Sequence, residues 1–485
     1  MRDTDPSDGY LRPLRDTRDA RTKNSFSGGI VLKALTRIET CPGEGIYRRS
    51  ETVEMNDFPA NTEWGIVNVY DDVQYQEVLG FGGAFTESSA YLYAQLSEAD
   101  KRRFLELYFS RDTGIGYNFG RCHINSCDFS LGVYASVEEG DRTLDSFQLE
   151  REKRYILPFL RDAQARCPEE LILFASPWSP PAYMKDTRDM LHGGRLLEEY
   201  KPVWAHYYAR YIRAMAAQGV TIRAVSVQNE PNAVQTWESC NYSAQEEADF
   251  IDRYLIDALD AEGLGDVRIL IWDHNKESVY DRAKAVLSNL RVNERVWAVS
   301  HHWYSGDHFE GLRLVHEQLH KPLICGEFCG PITENVNALA EKYGVEICEN
   351  FNHFDIASCD WNLLLDQNGG PYHNRTRKTE GGLFENKEDG CYAPILYDTD
   401  RGELVVTPIY HYIGHFSRYV QRGARRVATT KHCRELYTCA FVNPDGSRVC
   451  VMINTSDKPQ FATLRYHGGC TKNVMKPHSI MTLIF

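Results

Sequence analysis

The chain has no long apolar run. No stretch of its 485 residues approaches the ~20 apolar residues needed to cross a bilayer, so no integral membrane segment is expected. It also has no excess of positive charge. Lys and Arg total 54 against 68 Asp and Glu, a net charge of −14, and an acidic surface of that size repels phosphate backbones. Nucleic acid is therefore excluded as the main partner. The first residues carry no apolar segment: Arg2, Arg12, Arg15, Arg18 and Arg21 are mixed with Asp3, Asp5, Asp8, Asp16 and Asp19. That is not a secretory signal, and the expected address is the cytoplasm. The 14 cysteines include no C-x-x-C pair. Cys325 and Cys329 flank Glu327, but zinc would need two more ligands at matching spacing, so the cysteines read as buried thiols. His301-His302 is not an H-x-H pair, and no cofactor or metal is expected. The N-x-S/T sequons at Asn241, Asn374 and Asn454 carry no meaning without secretion. What is plentiful is aromatic surface: 28 Tyr, 21 Phe and 8 Trp.

Eight apolar, β-rich runs recur, at 78–85, 119–129, 171–178, 222–230, 267–274, 296–304, 321–328 and 357–366. Amphipathic stretches separate them. The stretch 97–109 opens with Ser97 as N-cap; 197–218 stops before Gly219; 243–262 starts with a Ser243/Glu246 capping box; 407–420 carries Pro408 in its first turn. Eight strands alternating with helices predict an α/β fold, a (β/α)₈ TIM barrel. From about Arg425 the pattern becomes purely strand-like. The runs 436–442 and 448–454 flank the turn Asn443-Pro444-Asp445-Gly446, with two further strands at 461–466 and 480–485. These strands need a partner to bury their apolar face, and residues 46–76 supply it. The expected organisation is a polar tail over 1–27, an accessory β-sandwich built from 28–77 and 423–485, and a catalytic barrel over 78–422.

In such a barrel the chemistry sits at the C-terminal ends of the strands. Strand four ends at Gln228-Asn229-Glu230-Pro231, and alternation places Ala224, Ser226, Gln228 and Glu230 on the inner face. Strand seven ends at Gly326-Glu327-Phe328, with Leu323, Cys325 and Glu327 expected on one face. Ionised groups inside a barrel mouth are costly unless paired or functional. One reading is a buried ion pair of either glutamate with a cation such as Arg121. The other is glycoside hydrolysis, in which one carboxyl protonates the leaving oxygen and the second acts on the anomeric carbon.

A series of motifs runs along the chain: Phe81-Gly82-Gly83-Ala84-Phe85-Thr86, Ser126-Cys127-Asp128-Phe129-Ser130 and Ser176-Pro177-Trp178-Ser179-Pro180-Pro181. It continues through Gln228-Asn229-Glu230-Pro231, His302-Trp303-Tyr304, the Glu327 strand, Asp360-Trp361-Asn362-Leu363 and Gly369-Gly370-Pro371. In these motifs the chain resembles glycoside hydrolase family 30, the family of glucosylceramidases. The resemblance implies a retaining, exo-acting β-glycosidase on a terminal β-glucoside. Glu230 would be the acid/base, Glu327 the nucleophile and Asn229 the amide beside the 2-hydroxyl. Asp128, Trp178 and Trp361 would hold the terminal sugar, and Arg121, His302 and Tyr304 would line the floor near the nucleophile. Carboxyl groups about 5–5.5 Å apart are expected for retention. Tyr304 and Arg121 would keep Glu327 ionised, whereas Glu230 must be protonated at rest.

Alternation sends His301 away from the pocket, and Trp272 and Trp297 read as packing. Trp237 is a candidate extension of the sugar platform. Tyr372 stands where glucosylceramidases usually carry Asn, and the charged stretch 375–389 reads as an insertion at the barrel mouth. Both leave the aglycone open. β-1,6-Glucanase, β-xylosidase and β-fucosidase remain alternatives within the family. A non-catalytic carbohydrate-binding barrel is the alternative outside it.

Overall fold

The computed structural model describes residues 34–59, 63–333, 335–373 and 390–485. The expected N-terminal tail, the sequon at Asn374 and the 375–389 insertion lie outside the described residues.

Eight parallel strands close into a barrel. In chain order they are β1 (Gly80–Ala84), β2 (Phe119–Ile124), β3 (Ile172–Pro177), β4 (Ile222–Ser226), β5 (Arg268–Asn275), β6 (Val296–His302), β7 (Leu323–Glu327) and β8 (Asp355–Asp360). All eight overlap the runs read from the sequence, with β8 starting two residues before its run and ending at Asp360. The barrel interior is filled by Phe119, Phe174, Ala224, Leu270, Ala298, Ile324, Ala357 and Cys359. Every strand but β1 contributes to this plug. β1 contributes glycine instead, because a Cβ on Gly82 would stand 1.5 Å from the Phe119 carbonyl oxygen on β2.

The outer helices start where their caps predict. Ser97 accepts from Asp100 N at the start of Glu98–Phe109. The Ser243/Glu246 capping box opens Ala244–Phe250. Lys201–Ala217 is preceded by a 3₁₀ turn at Glu198–Tyr200 and followed by Gly219 with φ +81. No helix of the described residues is long and apolar enough to cross a membrane.

Beside the barrel, both ends of the described chain build one ten-stranded sheet. Ala34–Cys41 pairs with Ile46–Glu54 on one side and with Ser479–Ile484 on the other. Leu436–Val442 and Arg448–Asn454 form the expected hairpin. The two edge strands of this sheet, Ile46–Glu54 and Asn56–Asp57, are consecutive in the chain and joined through Met55. The sheet is therefore rolled until its edges meet, and the two layers of the sandwich are parts of one ladder. It encloses its own core of Leu35, Val67, Val427, Met452, Leu464 and Leu483.

The Gly82 contact gives a stability prediction. Gly82→Ala should cost about 3 kcal/mol or more, since the clash is with backbone of a paired strand. Gly43→Ala, where nothing lies within 4 Å, should stay within about 0.5 kcal/mol. Urea unfolding of the two variants checks this.

Candidate active site

Three departures from regular alternation build the site. The first is at β5. Ile269 and Ile271 face the helices and Leu270 fills the barrel, so strict alternation would send Asp273 outward. Instead Trp272 and Asp273 both adopt left-handed backbone, φ +72 and +50. Trp272 joins the helix-facing core and Asp273 turns inward. Such residues cost about 1–3 kcal/mol each and persist only where the surroundings hold them.

The second departure corrects the reading of β7. Leu323 and Cys325 pack toward the helices while Ile324 fills the interior, so Glu327 does not share its face with Leu323 and Cys325. The ladder pairs His301 with Cys325 but His302 with Glu327, so Gly326 is an extra residue on β7. A Cβ at Gly326 would lie 2.2 Å from Ser300 Oγ and 3.0 Å from Asp273 Oδ1. The bulge passes this crowded level with glycine and then delivers the Glu327 carboxylate into the mouth.

The third is at β4, which ends at Ser226, so the alternation drawn through Gln228 to Glu230 does not hold. Those residues form a turn fixed by Gln228 Nε2 donating to the Trp178 carbonyl at 2.7 Å and Asn229 N donating to the Pro177 carbonyl at 2.9 Å. Glu230, with φ +47, donates its N–H to the Asp273 carbonyl at 2.9 Å.

Asp273 is the hub that sequence reading missed. Its carboxylate accepts from Arg121 Nη2 at 2.8 Å, Ser176 Oγ at 2.8 Å, Ser226 Oγ at 2.6 Å, Ser300 Oγ at 2.7 Å and His302 Nε2 at 3.2 Å. Burial opposes its charge, but Arg121 and His302 win and hold it well below the usual carboxylate range. Arg121 is fully buried and also donates to Glu327 Oε2 at 2.5 Å and to Asn229 Oδ1 at 2.8 Å. With its oxygen committed to Arg121, the Asn229 amide keeps its NH₂ free to donate.

The two glutamates meet at His302. Its Nδ1 lies 3.2 Å from Glu230 Oε1 and 3.9 Å from Glu327 Oε1. One atom each of Glu230, His302 and Glu327 fall within 4.8 Å of one another, close to the spacing of a retaining pair. Tyr304, at the mouth, donates its hydroxyl to Glu327 Oε1 at 2.9 Å. Burial lowers the His302 pKa, but Glu327, Asp273 and Glu230 outweigh it and raise it to about 9. Once protonated, the ring donates from both nitrogens, to Glu230 and to Asp273.

Burial pushes Glu327 up against the pull of His302 and Arg121, while His302 pulls Glu230 below its ordinary value against burial. Each carboxylate taken alone thus runs opposite to the expectation from sequence. The cause is the shared imidazolium, whose hydrogen bond goes to Glu230.

Trp178, after β3, and Trp361, after β8, stack on each other at 5.1 Å with planes 24° apart, and the Arg121 guanidinium lies 4.7 Å and 5.5 Å from their ring centroids. Phe129, Trp237 and Tyr372 pack on the same cluster. Asp128 stands beside it with Oδ1 buried and without a partner. Burial, then Glu327, Glu238 and Glu230, push this carboxyl well above the usual carboxylate range. Every residue singled out from sequence converges here: Arg121, Asp128, Trp178, Asn229, Glu230, His302, Tyr304, Glu327 and Trp361. His301 turns away to pair with Asp355 at 2.9 Å, and Trp272 is core, as expected. The residues missed are Asp273 and the serines around it, Ser176, Ser226 and Ser300. Ser226 was legible as inward-facing, but nothing local marked the backbone reversal at Trp272-Asp273.

Two outcomes test this network. Asp273→Asn keeps the shape but removes the charge from Arg121 and His302, and should cost about 3–5 kcal/mol of stability in urea unfolding. His302 supplies a pH-dependent part. Its pKa is higher folded, about 9, than in a free histidine, 6.5. Its contribution is therefore complete below pH 6.5 and lost as pH rises through 9. The stability difference between wild type and His302→Asn should shrink by about 3 kcal/mol between pH 6.5 and pH 9.

The comparisons agree with this geometry. Residues 78–420 match the glycosyl hydrolase family 30 TIM-barrel domain, and residues 423–483 match the family 30 β-sandwich domain. Putative glucosylceramidase 3 of Caenorhabditis elegans is 30% identical over 477 residues, covering 93% of this chain and 88% of that protein. The crystal structure of SrfJ from Salmonella typhimurium superposes with a TM-score of 0.88 at 32% identity, covering 93% of this chain and 99% of that one. The endo-β-1,6-glucanase BT3312 superposes with a TM-score of 0.81 at 26% identity, covering 93% and 98%. With both domain models matched along nearly the whole described chain, and a carboxylate pair at the barrel mouth, the protein belongs to glycosyl hydrolase family 30 and is a glycoside hydrolase.

Proposed function

We propose that this glycoside hydrolase is a retaining, exo-acting β-glucosidase of glucosylceramidase type, with Glu327 as nucleophile and Glu230 as acid/base. The observation that carries this reading is the pair of carboxylates sharing His302 within 4.8 Å, beneath the stacked Trp178 and Trp361. The names of the relatives support the sugar, since one is a putative glucosylceramidase.

The charge balance of the floor supports Glu230 as the proton carrier. Glu230, Glu327 and Asp273 face the two cations Arg121 and His302, so one proton on the glutamate pair neutralises the cluster. Glu327 holds the permanent guanidinium contact and Glu230 does not. The proton therefore rests on Glu230 once a sugar covers the site. Glu327 attacks the anomeric carbon as Glu230 protonates the departing oxygen. The ester that forms carries no charge on Glu327, so His302 and Arg121 now favour an ionised Glu230. Glu230 then takes a proton from water, which attacks the same carbon and releases the sugar with its configuration retained. The free NH₂ of Asn229 donates to the 2-hydroxyl, and Asp128 binds hydroxyls further round the ring.

A second reading is an endo-acting β-1,6-glucanase, supported by the likeness to BT3312. The discriminating measurement is a panel of aryl β-glycosides, glucosylceramide and a β-1,6-linked glucan. Release of glucose from glucosylceramide with little action on the glucan is the expected outcome, and depolymerisation of the glucan to oligosaccharides would replace the exo assignment. Glu327→Gln should lower kcat at least 10³-fold, about 4 kcal/mol of barrel-mouth chemistry, with the fold intact by circular dichroism. Glu230→Ala should regain turnover in azide with a β-glycosyl azide as product. An α-azide would contradict retention.

A further inference from the structure

Two thiols meet at the barrel mouth beside the nucleophile. Cys329 follows Glu327 by two residues, and its Sγ lies 3.0 Å from Cys391 Sγ and 3.4 Å from Tyr304 Oη. The single hydroxyl proton of Tyr304 is committed to Glu327 Oε1 at 2.9 Å. The Cys329 S–H is therefore the donor to Tyr304 Oη. One hydroxyl thus links this pair of thiols to the nucleophile.

The backbones that carry the cysteines are pinned to each other. Pro331 and Cys391 form an antiparallel bridge, Tyr392 N donates to the Gly330 carbonyl at 2.9 Å, and Ile332 N donates to the Gly390 carbonyl at 2.7 Å. Trp303 Nε1 holds the Cys329 carbonyl at 3.0 Å. The sulfurs stand within about 1 Å of bonding distance, so closing the bond asks for a side-chain adjustment and no loop movement. Access is asymmetric: Cys391 is half-buried and Cys329 is buried. Elsewhere in the described chain Cys348 lies against Cys439, but both are fully enclosed and no reagent reaches them.

We propose that Cys329 and Cys391 are an oxidation site for small-molecule disulfides, and that closing them into an intramolecular disulfide slows the glycosidase through Tyr304. The Cys391 thiolate attacks one sulfur of R–S–S–R, breaking that bond and releasing RS⁻. Cys329 then gives up its proton and attacks Cys391 Sγ, expelling the second RS⁻. The two protein protons end on the two RS⁻ groups, so two protein thiols are oxidised and R–S–S–R is reduced to two RSH. Burial and the neighbouring Cys391 sulfur keep Cys329 protonated until that step. In the disulfide the Cys329 sulfur carries no proton. Tyr304 Oη loses the donor that fixes it, and with it the orientation in which it steadies the ionised Glu327.

The test uses the full-length enzyme and oxidised glutathione. After treatment, alkylation of the remaining thiols and proteolysis, mass spectrometry should find a Cys329–Cys391 cross-linked peptide. The kcat on the aryl β-glycoside turned over best should fall at least threefold and return with dithiothreitol. Cys391→Ser should lose the response to oxidant. Absence of the cross-link in excess oxidant, cross-linking that leaves kcat unchanged, or a fall that persists in Cys391→Ser would each overturn the proposal. The cross-link is read without substrate, so an error in the sugar assignment leaves it standing.

Discussion

The buried carboxylate of Asp273 is the constraint on which the site depends. It accepts five hydrogen bonds from four barrel strands, β2, β3, β4 and β6, and sits on a fifth, β5. A charge at that depth is tolerable only when its hydrogen-bond sites are filled. In filling them it fixes Arg121 and His302, and these fix the two glutamates. The left-handed backbone at Trp272 and Asp273 is the local cost, offset by charge-assisted bonds of about 1.5–3 kcal/mol each. The Glu230 N–H also docks on the Asp273 carbonyl, so side chain and main chain of one residue position both halves of the pair.

Much of this was legible in the sequence, and the limit is physical. The eight strands, the capped helices and the terminal hairpin followed from periodicity and turn chemistry, because each is a local rule. Alternation placed His301 correctly because β6 is regular there. It failed at Leu323–Glu327 and at Asp273, where a bulge and a left-handed pair each shift the inward parity by one residue. Such reversals are decided by what the neighbouring strands need, for instance room for Ser300 Oγ beside Gly326. A single strand's sequence does not contain that information. Glu327 still reaches the mouth, because the bulge at Gly326 restores its inward position.

The electrostatics of the pair were less legible still. The resemblance implied that Arg121 and Tyr304 belong with Glu327, and they do. That a single imidazole would lie between the carboxylates, hydrogen-bonded to Glu230, is a property of the assembled floor. It makes the protonation of Glu230 conditional on the charge of Glu327, which is what the proposed acid/base role of Glu230 requires.

The rolled sheet has a consequence for how the molecule is made. Its strand Ala34–Cys41 is among the first of the described chain to leave the ribosome, yet one of its two neighbours, Ser479–Ile484, is among the last. The barrel between them can close while that early strand still shows an open edge. An open edge is a template for pairing with another chain. Closure of this sheet thus waits for Ser479–Ile484, and a nascent chain stalled short of it would carry a finished barrel beside an unfinished, self-adhesive sheet.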